Sequence, residues 1–105
     1  MQYAPIQYRD FYDVPRMVLV QFNGKTYLFD CPFDEREDEY STHYSIFLMP
    51  PLAAADFKGD WRQLPTMAVQ LMGKVLISDV KFDASKRNAI CTDVLGRLLE
   101  KSGGD

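Results

Sequence analysis

The chain has little of what most catalytic and cofactor motifs require. One histidine and two cysteines occur in 105 residues, and no zinc-ligand spacing is present. There is no Cys-x-x-Cys pair, so a thioredoxin-like redox site has no support. No phosphate loop, no Gly-x-Gly-x-x-Gly and no Gly-x-Ser-x-Gly occurs, which removes the usual backbone cradles for phosphate and the nucleophile elbow. Long apolar runs are also missing, and no stretch approaches the ~20 residues of a membrane span. The opening Met1-Gln2-Tyr3-Ala4-Pro5 lacks the basic region and apolar run of a signal peptide. The expected location is therefore the cytoplasm, with Cys31 and Cys91 reduced and packed as small core residues. Nor is positive charge in excess. A net charge of -3 and a pI of about 5.0 disfavour nucleic-acid phosphates as a partner.

What is present is core material. Apolar residues make up 47% of the sequence and aromatics 13%, with seven Phe, six Tyr and one Trp. At 12.1 kDa the chain reads as one domain, 1–105, able to fill a hydrophobic core without disulfides or a structural metal.

The clearest local signal lies in residues 16–49. Asn23-Gly24 sits between two apolar runs, and a two-residue type I′ turn needs positive φ at both positions. The turn fixes the register of strands over 16–22 and 25–31. Val18 then faces Phe29 and Val20 faces Tyr27 on one core face. Leu19 faces Leu28 on the other, beside Met17 and Thr26. That second face is half apolar, so a further segment is expected to cover it. Pro32 ends the second strand, and a charged connection carries Asp34, Glu35, Glu37, Asp38 and Glu39. A third strand over 40–49 completes a meander, with Tyr44, Ile46 and Leu48 on one face and His43, Ser45, Phe47 and Met49 on the other.

Around this meander, residues 1–15 read as an aromatic arm with a short strand over 6–9, because Pro5 and Pro15 disfavour a helix. Residues 50–73 form a connector with a short helix near 65–72, although 67–71 also fits a strand. A strand follows over 74–82, with a bulge near Ser78-Asp79 where the alternation slips phase. Asp83 then reads as the N-cap of a helix over 84–101 whose stripe is Ile90, Cys91, Val94, Leu95, Leu98 and Leu99. Gly96 lies near that stripe, where it would let the helix approach the sheet. The predicted fold is α+β: a curved antiparallel sheet, or a partly closed small barrel, with one C-terminal helix packed on it.

Four features are candidate sites, and each has a plainer structural reading. The acidic loop supplies carboxylates for a cation, but its spacing is not that of a calcium loop and a solvated loop is the preferred reading. No metal and no cofactor is expected. His43 is a catalytic candidate only if a carboxylate orients it, with Asp30, Ser41 and Ser45 as neighbours; otherwise it packs on a strand. Lys86 and Arg87 fall in the first turn predicted for the last helix, the unfavourable end for cations, and an anion bound to the open amides would offset that. The plainer reading sends both to solvent, or pairs Arg87 with Asp83. Tyr8, Phe11 and Tyr12 of the arm are candidate interaction residues, packing on the domain or on a second subunit. Together these features favour a small interaction or scaffolding domain, as a homodimer, over an anion-binding domain and over an enzyme built on His43.

Overall fold

The computed structural model describes residues 3–12, 14–50, 59–82 and 89–103. Its centre is an antiparallel six-stranded sheet that stays open rather than closing into a barrel. The chain contributes β1 (Tyr3–Tyr12), β2 (Val14–Phe22), β3 (Lys25–Asp30), a small hairpin β4 (Phe33–Asp34) and β5 (Glu39–Tyr40), then β6 (His43–Met49). A helical segment follows: a 3-10 turn at Trp61–Gln63 running into α1 (Leu64–Met67). After it come β7 (Gln70–Leu76), a second 3-10 turn at Ile77–Asp79, β8 (Ala89–Cys91) and α2 (Thr92–Gly103). Spatial order is β7-β6-β3-β2-β1-β8.

The hairpin register is the one the turn dictates: Val18 pairs with Phe29, Leu19 with Leu28 and Val20 with Tyr27. Asn23 and Gly24 both have positive φ, 51° and 76°. β6 continues the pattern, with Phe29 opposite Ile46 and Leu28 opposite Phe47. The first face carries the main core, where Val18, Val20, Phe29, Tyr44 and Ile46 meet Leu95, Leu98 and Leu99 of α2. The second face carries a smaller core in which Met17, Leu19, Leu28 and Met49 pack against Trp61 and Leu64. The cover that the half-apolar face requires is thus the 61–68 segment. It is pinned locally by the Asp60 side chain, which accepts from the Arg62 N–H at 3.0 Å. At its far end the Val69 N–H donates to the Leu48 carbonyl at 2.8 Å.

Four elements depart from expectation. The arm is a full strand of ten residues, Tyr3–Tyr12, paired along β2. Ala4, Ile6 and Tyr8 alternate onto the main core, and the prolines sit within the pairing, Pro5 opposite Ala89 and Pro15 opposite Phe11, without preventing it. The short helix is Leu64–Met67 rather than 65–72, since residues 70–72 already belong to β7. The later strand is Gln70–Leu76 and not 74–82. Its irregularity lies opposite Ile46/Phe47, where Met72 is the extra residue, and the phase slip near Ser78 is a 3-10 turn. The last helix begins at Thr92, not at Ala84. Ala89, Ile90 and Cys91 are buried in β8 against Tyr3–Pro5, and a short apolar run fits a strand or a helical stripe equally well. The expected N-cap Asp83 lies outside the described residues.

Gly96 has a measurable consequence. A Cβ there would meet the Phe22 ring at 3.4 Å, an ordinary contact. Gly96→Ala is therefore expected to stabilise the protein by about 0.5–1 kcal/mol, because a mid-helix glycine carries extra unfolded-state entropy. Thermal and urea melts check it. A loss of stability would mean the ring has no room to yield.

Candidate functional site

Extending the hairpin register one step places Arg16 across from Cys31, and extending the β3–β6 register places Cys31 across from Tyr44. These three side chains form a polar row at one end of the core face, beyond the aliphatic residues. Arg16 is only 8% exposed. Its guanidinium donates to Cys31 Sγ at 3.3 Å and lies 4.3 Å from the centre of the Tyr40 ring. The Cys31 thiol donates in turn to the Ser41 carbonyl at 3.1 Å. The Tyr44 hydroxyl donates to the Pro15 carbonyl at 2.5 Å. Burial holds the Tyr44 phenol well above its ordinary range, with a smaller push from Cys31 and an opposing pull from Arg16.

Of the row, Arg16 lines an open cleft of about 970 Å³. One wall is the β4–β5 hairpin, whose Phe33 packs edge-on to Tyr40 at 5.1 Å between ring centres. The opposite wall is Leu76, Ile77 and Ser78, where β7 passes into its 3-10 turn. The hairpin stands out because Asp34 closes its turn, accepting from the Arg36 N–H at 2.9 Å, with Asp38 at φ 55°. The acidic loop therefore has a local structural role. Among the described residues, no group of three or more candidate ligands is placed to hold a metal ion.

Of the other predicted residues, the described ones are not brought together. The His43 ring has the Thr42 hydroxyl as its partner, at 2.9 Å from Nδ1, and not a carboxylate. Asp30 pairs across the ladder with Ser45, two residues from His43, and burial raises its carboxyl above the usual range. Tyr8 packs against the main core of its own chain. The side chains of Phe11 and Tyr12 lie outside the description, as do Lys86 and Arg87. Because α2 starts at Thr92, its first turn carries Asp93, a favourable charge for that end.

A second feature is the outer edge of β7. Among the described residues β7 pairs with β6 alone. Val69 is 65% exposed, Leu71 55% and Leu76 44%, and Met67 is exposed beside them. The opposite end of the sheet is different. Phe82 bridges Ile90, and the Cys91 N–H donates to the Lys81 carbonyl at 2.8 Å, so β8 is capped. Among the described residues β1 beyond Pro5 pairs with β2 alone. Exposed Arg9 and Asp10 lie on that stretch, with the Arg9 guanidinium 5.7 Å from the centre of the Trp61 ring.

The polar row was missed by sequence reasoning, yet the register carried it, since Arg16 shares parity with Val18 and Val20. The β7 edge had no such signal, because its position in the sheet depends on β6–β7 pairing across the connector. No family model matches the chain, and no curated protein or solved structure matches it significantly. No described helix is long and apolar enough to cross a membrane.

Proposed function

We propose that this protein is a non-enzymatic interaction domain that self-associates by pairing β7 of one copy with β7 of another about a two-fold axis. The observation that carries the reading is the outer edge of β7, flanked by exposed Met67, Val69 and Leu71. An unpaired strand edge presents backbone donors and acceptors ready to pair, and apolar flanks gain by leaving water. The strand has a single charge, Lys74, and one irregularity at Met72, so its regular ladder is short. Two-fold pairing uses the edge in both copies and stops there, giving a closed dimer and not a fibre. Two free, buried thiols support a reducing compartment, in keeping with a cytoplasmic setting.

Sedimentation at micromolar concentration is expected to give about twice the chain mass of 12.1 kDa. Leu71→Asp and Val69→Asp, both at exposed positions, are expected to return a folded monomer whose melting temperature no longer depends on protein concentration. A wild-type monomer throughout the micromolar range would overturn the proposal. A dimer that survives both substitutions would remove β7 from it.

A further inference from the structure

We propose that two copies pair along β7 about a two-fold axis at Val75, each Lys74 across from the other copy's Leu76, and that the two Lys74 charges limit how tightly they associate. The inference rests on the β7 reading above and names the register and the control of that same edge.

The outward backbone groups follow from the ladder with β6. The Ile77 N–H donates to the Thr42 carbonyl at 3.0 Å, in the register that pairs Leu76 with His43 and Lys74 with Ser45. Opposed residues of an antiparallel pair alternate between exchanging two hydrogen bonds and exchanging none. Ile77, Val75 and Gly73 therefore turn their backbone groups toward β6, whereas Leu76 and Lys74 turn theirs to the open edge. Upstream the extra residue Met72 breaks the alternation, and downstream the chain enters the 3-10 turn at Ile77–Asp79. Lys74 and Leu76 are thus the residues of regular strand that offer donors and acceptors outward.

Three two-fold axes could use them. An axis at Lys74 sets the two ammonium groups directly opposite and engages one regular residue per copy. An axis at Leu76 sends Lys74 against the partner's 3-10 turn. An axis at Val75 pairs Lys74 with the partner's Leu76 twice over, giving four backbone hydrogen bonds on regular strand. It also lays Leu71 beside the partner's turn, which accounts for the exposed apolar residue upstream of the bulge.

The charge follows from that register. Lys74 and Leu76 are both exposed and share the face of Ser45 and His43. Across the axis the two lysines become diagonal neighbours about 7–8 Å apart, within reach of long side chains. Like charges at that spacing oppose pairing, and a lysine on an open edge is a common brake on it. Asp30 lies in the same row, but two strand spacings and about 10 Å from Lys74, with Ser45 between them. Leu76 and the backbone bonds draw the copies together, and the paired ammonium groups keep the contact weak.

Cross-linking reads the register. Lys74→Cys mixed with Leu76→Cys, both at exposed positions, is expected to give a disulfide-linked dimer on oxidation with diamide, and neither variant alone should do so. Hydrogen-bonded opposites stand about 5.5 Å apart between Cα atoms, inside the disulfide range, whereas diagonal positions fall outside it. Native Cys31 and Cys91 are buried and stay out of the reaction. Mixing reads the charge. Isotope-labelled wild type and Lys74→Glu are expected to form heterodimer beyond the statistical half, about two- to fivefold tighter than either homodimer by native mass spectrometry. Lys25→Glu, at an exposed lysine outside β7, should mix statistically with wild type. Lys74→Gln should dimerise more tightly than wild type by a similar factor. Statistical mixing of Lys74→Glu, or no cross-link between the two cysteine variants, would overturn this inference; with Leu71→Asp still monomeric, the β7 reading would stand. Wild type and Lys74→Gln both monomeric throughout the micromolar range would overturn the two together.

Discussion

Leu64→Ala is expected to destabilise the protein by about 2–5 kcal/mol, the range for deleting a fully buried leucine side chain. Leu64 is 0% exposed and sits in a helix of only four residues. So short a helix has no stability of its own, because nucleation costs more than one turn of hydrogen bonds returns. Its order comes from the apolar face beneath it, where Leu19 and Leu28 are equally buried and Trp61 lies alongside. Truncating Leu64 therefore removes contacts on both sides of the second layer at once. Against a total stability of about 5–15 kcal/mol, such a loss is large. Gln63→Ala, just before the same turn, is the control: Gln63 is exposed and its side chain makes no capping hydrogen bond, so its truncation should stay within about 0.5 kcal/mol. Urea midpoints with unchanged slopes would measure both. Equal, small effects would mean that residues 61–68 lie on the sheet without forming a core.

The reason this segment was only half legible is instructive. Alternation in the hairpin showed that Leu19 and Leu28 needed a cover, because a solvated face does not carry paired leucines. It could not show which residues supply that cover. Trp61, Leu64 and Ala68 recur at helical spacing, but Met67 to Leu71 fits a strand as well, and the structure divides the stretch, with helix over Leu64–Met67 and strand from Gln70. Tertiary pairing decided the boundary: the Val69 N–H bonds to Leu48, and β7 begins one residue later.

The last helix failed in the same way. Ile90 and Cys91 continue the stripe of Val94, Leu95, Leu98 and Leu99, so the pattern alone runs on to a helix from 84. Pairing of Ala89–Cys91 with Tyr3–Pro5 is a contact across the whole chain, invisible to any local window. The start of the arm and the start of the helix were thus misread for one cause, since Tyr3–Pro5 and Ala89–Cys91 are each other's partners. The candidate site was hidden differently. Arg16, Cys31 and Tyr44 were fixed in one row as soon as Asn23-Gly24 set the register, but an arginine at a strand start is ordinarily solvated. Here the β4–β5 hairpin folds Tyr40 over the guanidinium, and the side chain is buried.

Tyr44 gives the row a signature in the alkaline range. Its phenol is held above the ordinary value near 10, chiefly by burial, so above that pH the unfolded chain releases the proton before the native state does. The native state then binds more protons than the unfolded one, and stability falls as pH rises, by about 1.4 kcal/mol per pH unit for one such group. The contribution is fully present below pH 10 and is lost progressively above it, until the native phenol itself ionises. Tyr44→Phe removes that proton from both states. At about pH 8 the variant should be less stable by about 1–3 kcal/mol, because the Pro15 carbonyl loses a buried donor. At about pH 11 the deficit should shrink by about 1.4 kcal/mol or reverse, since only the wild type carries the alkaline slope. Urea unfolding of both proteins at the two pH values measures the difference directly, and other titrating groups cancel between them. Parallel stability curves would mean that Tyr44 ionises alike in both states. That result would remove the buried hydroxyl, and with it the dry end of the row on which Arg16 and Cys31 sit.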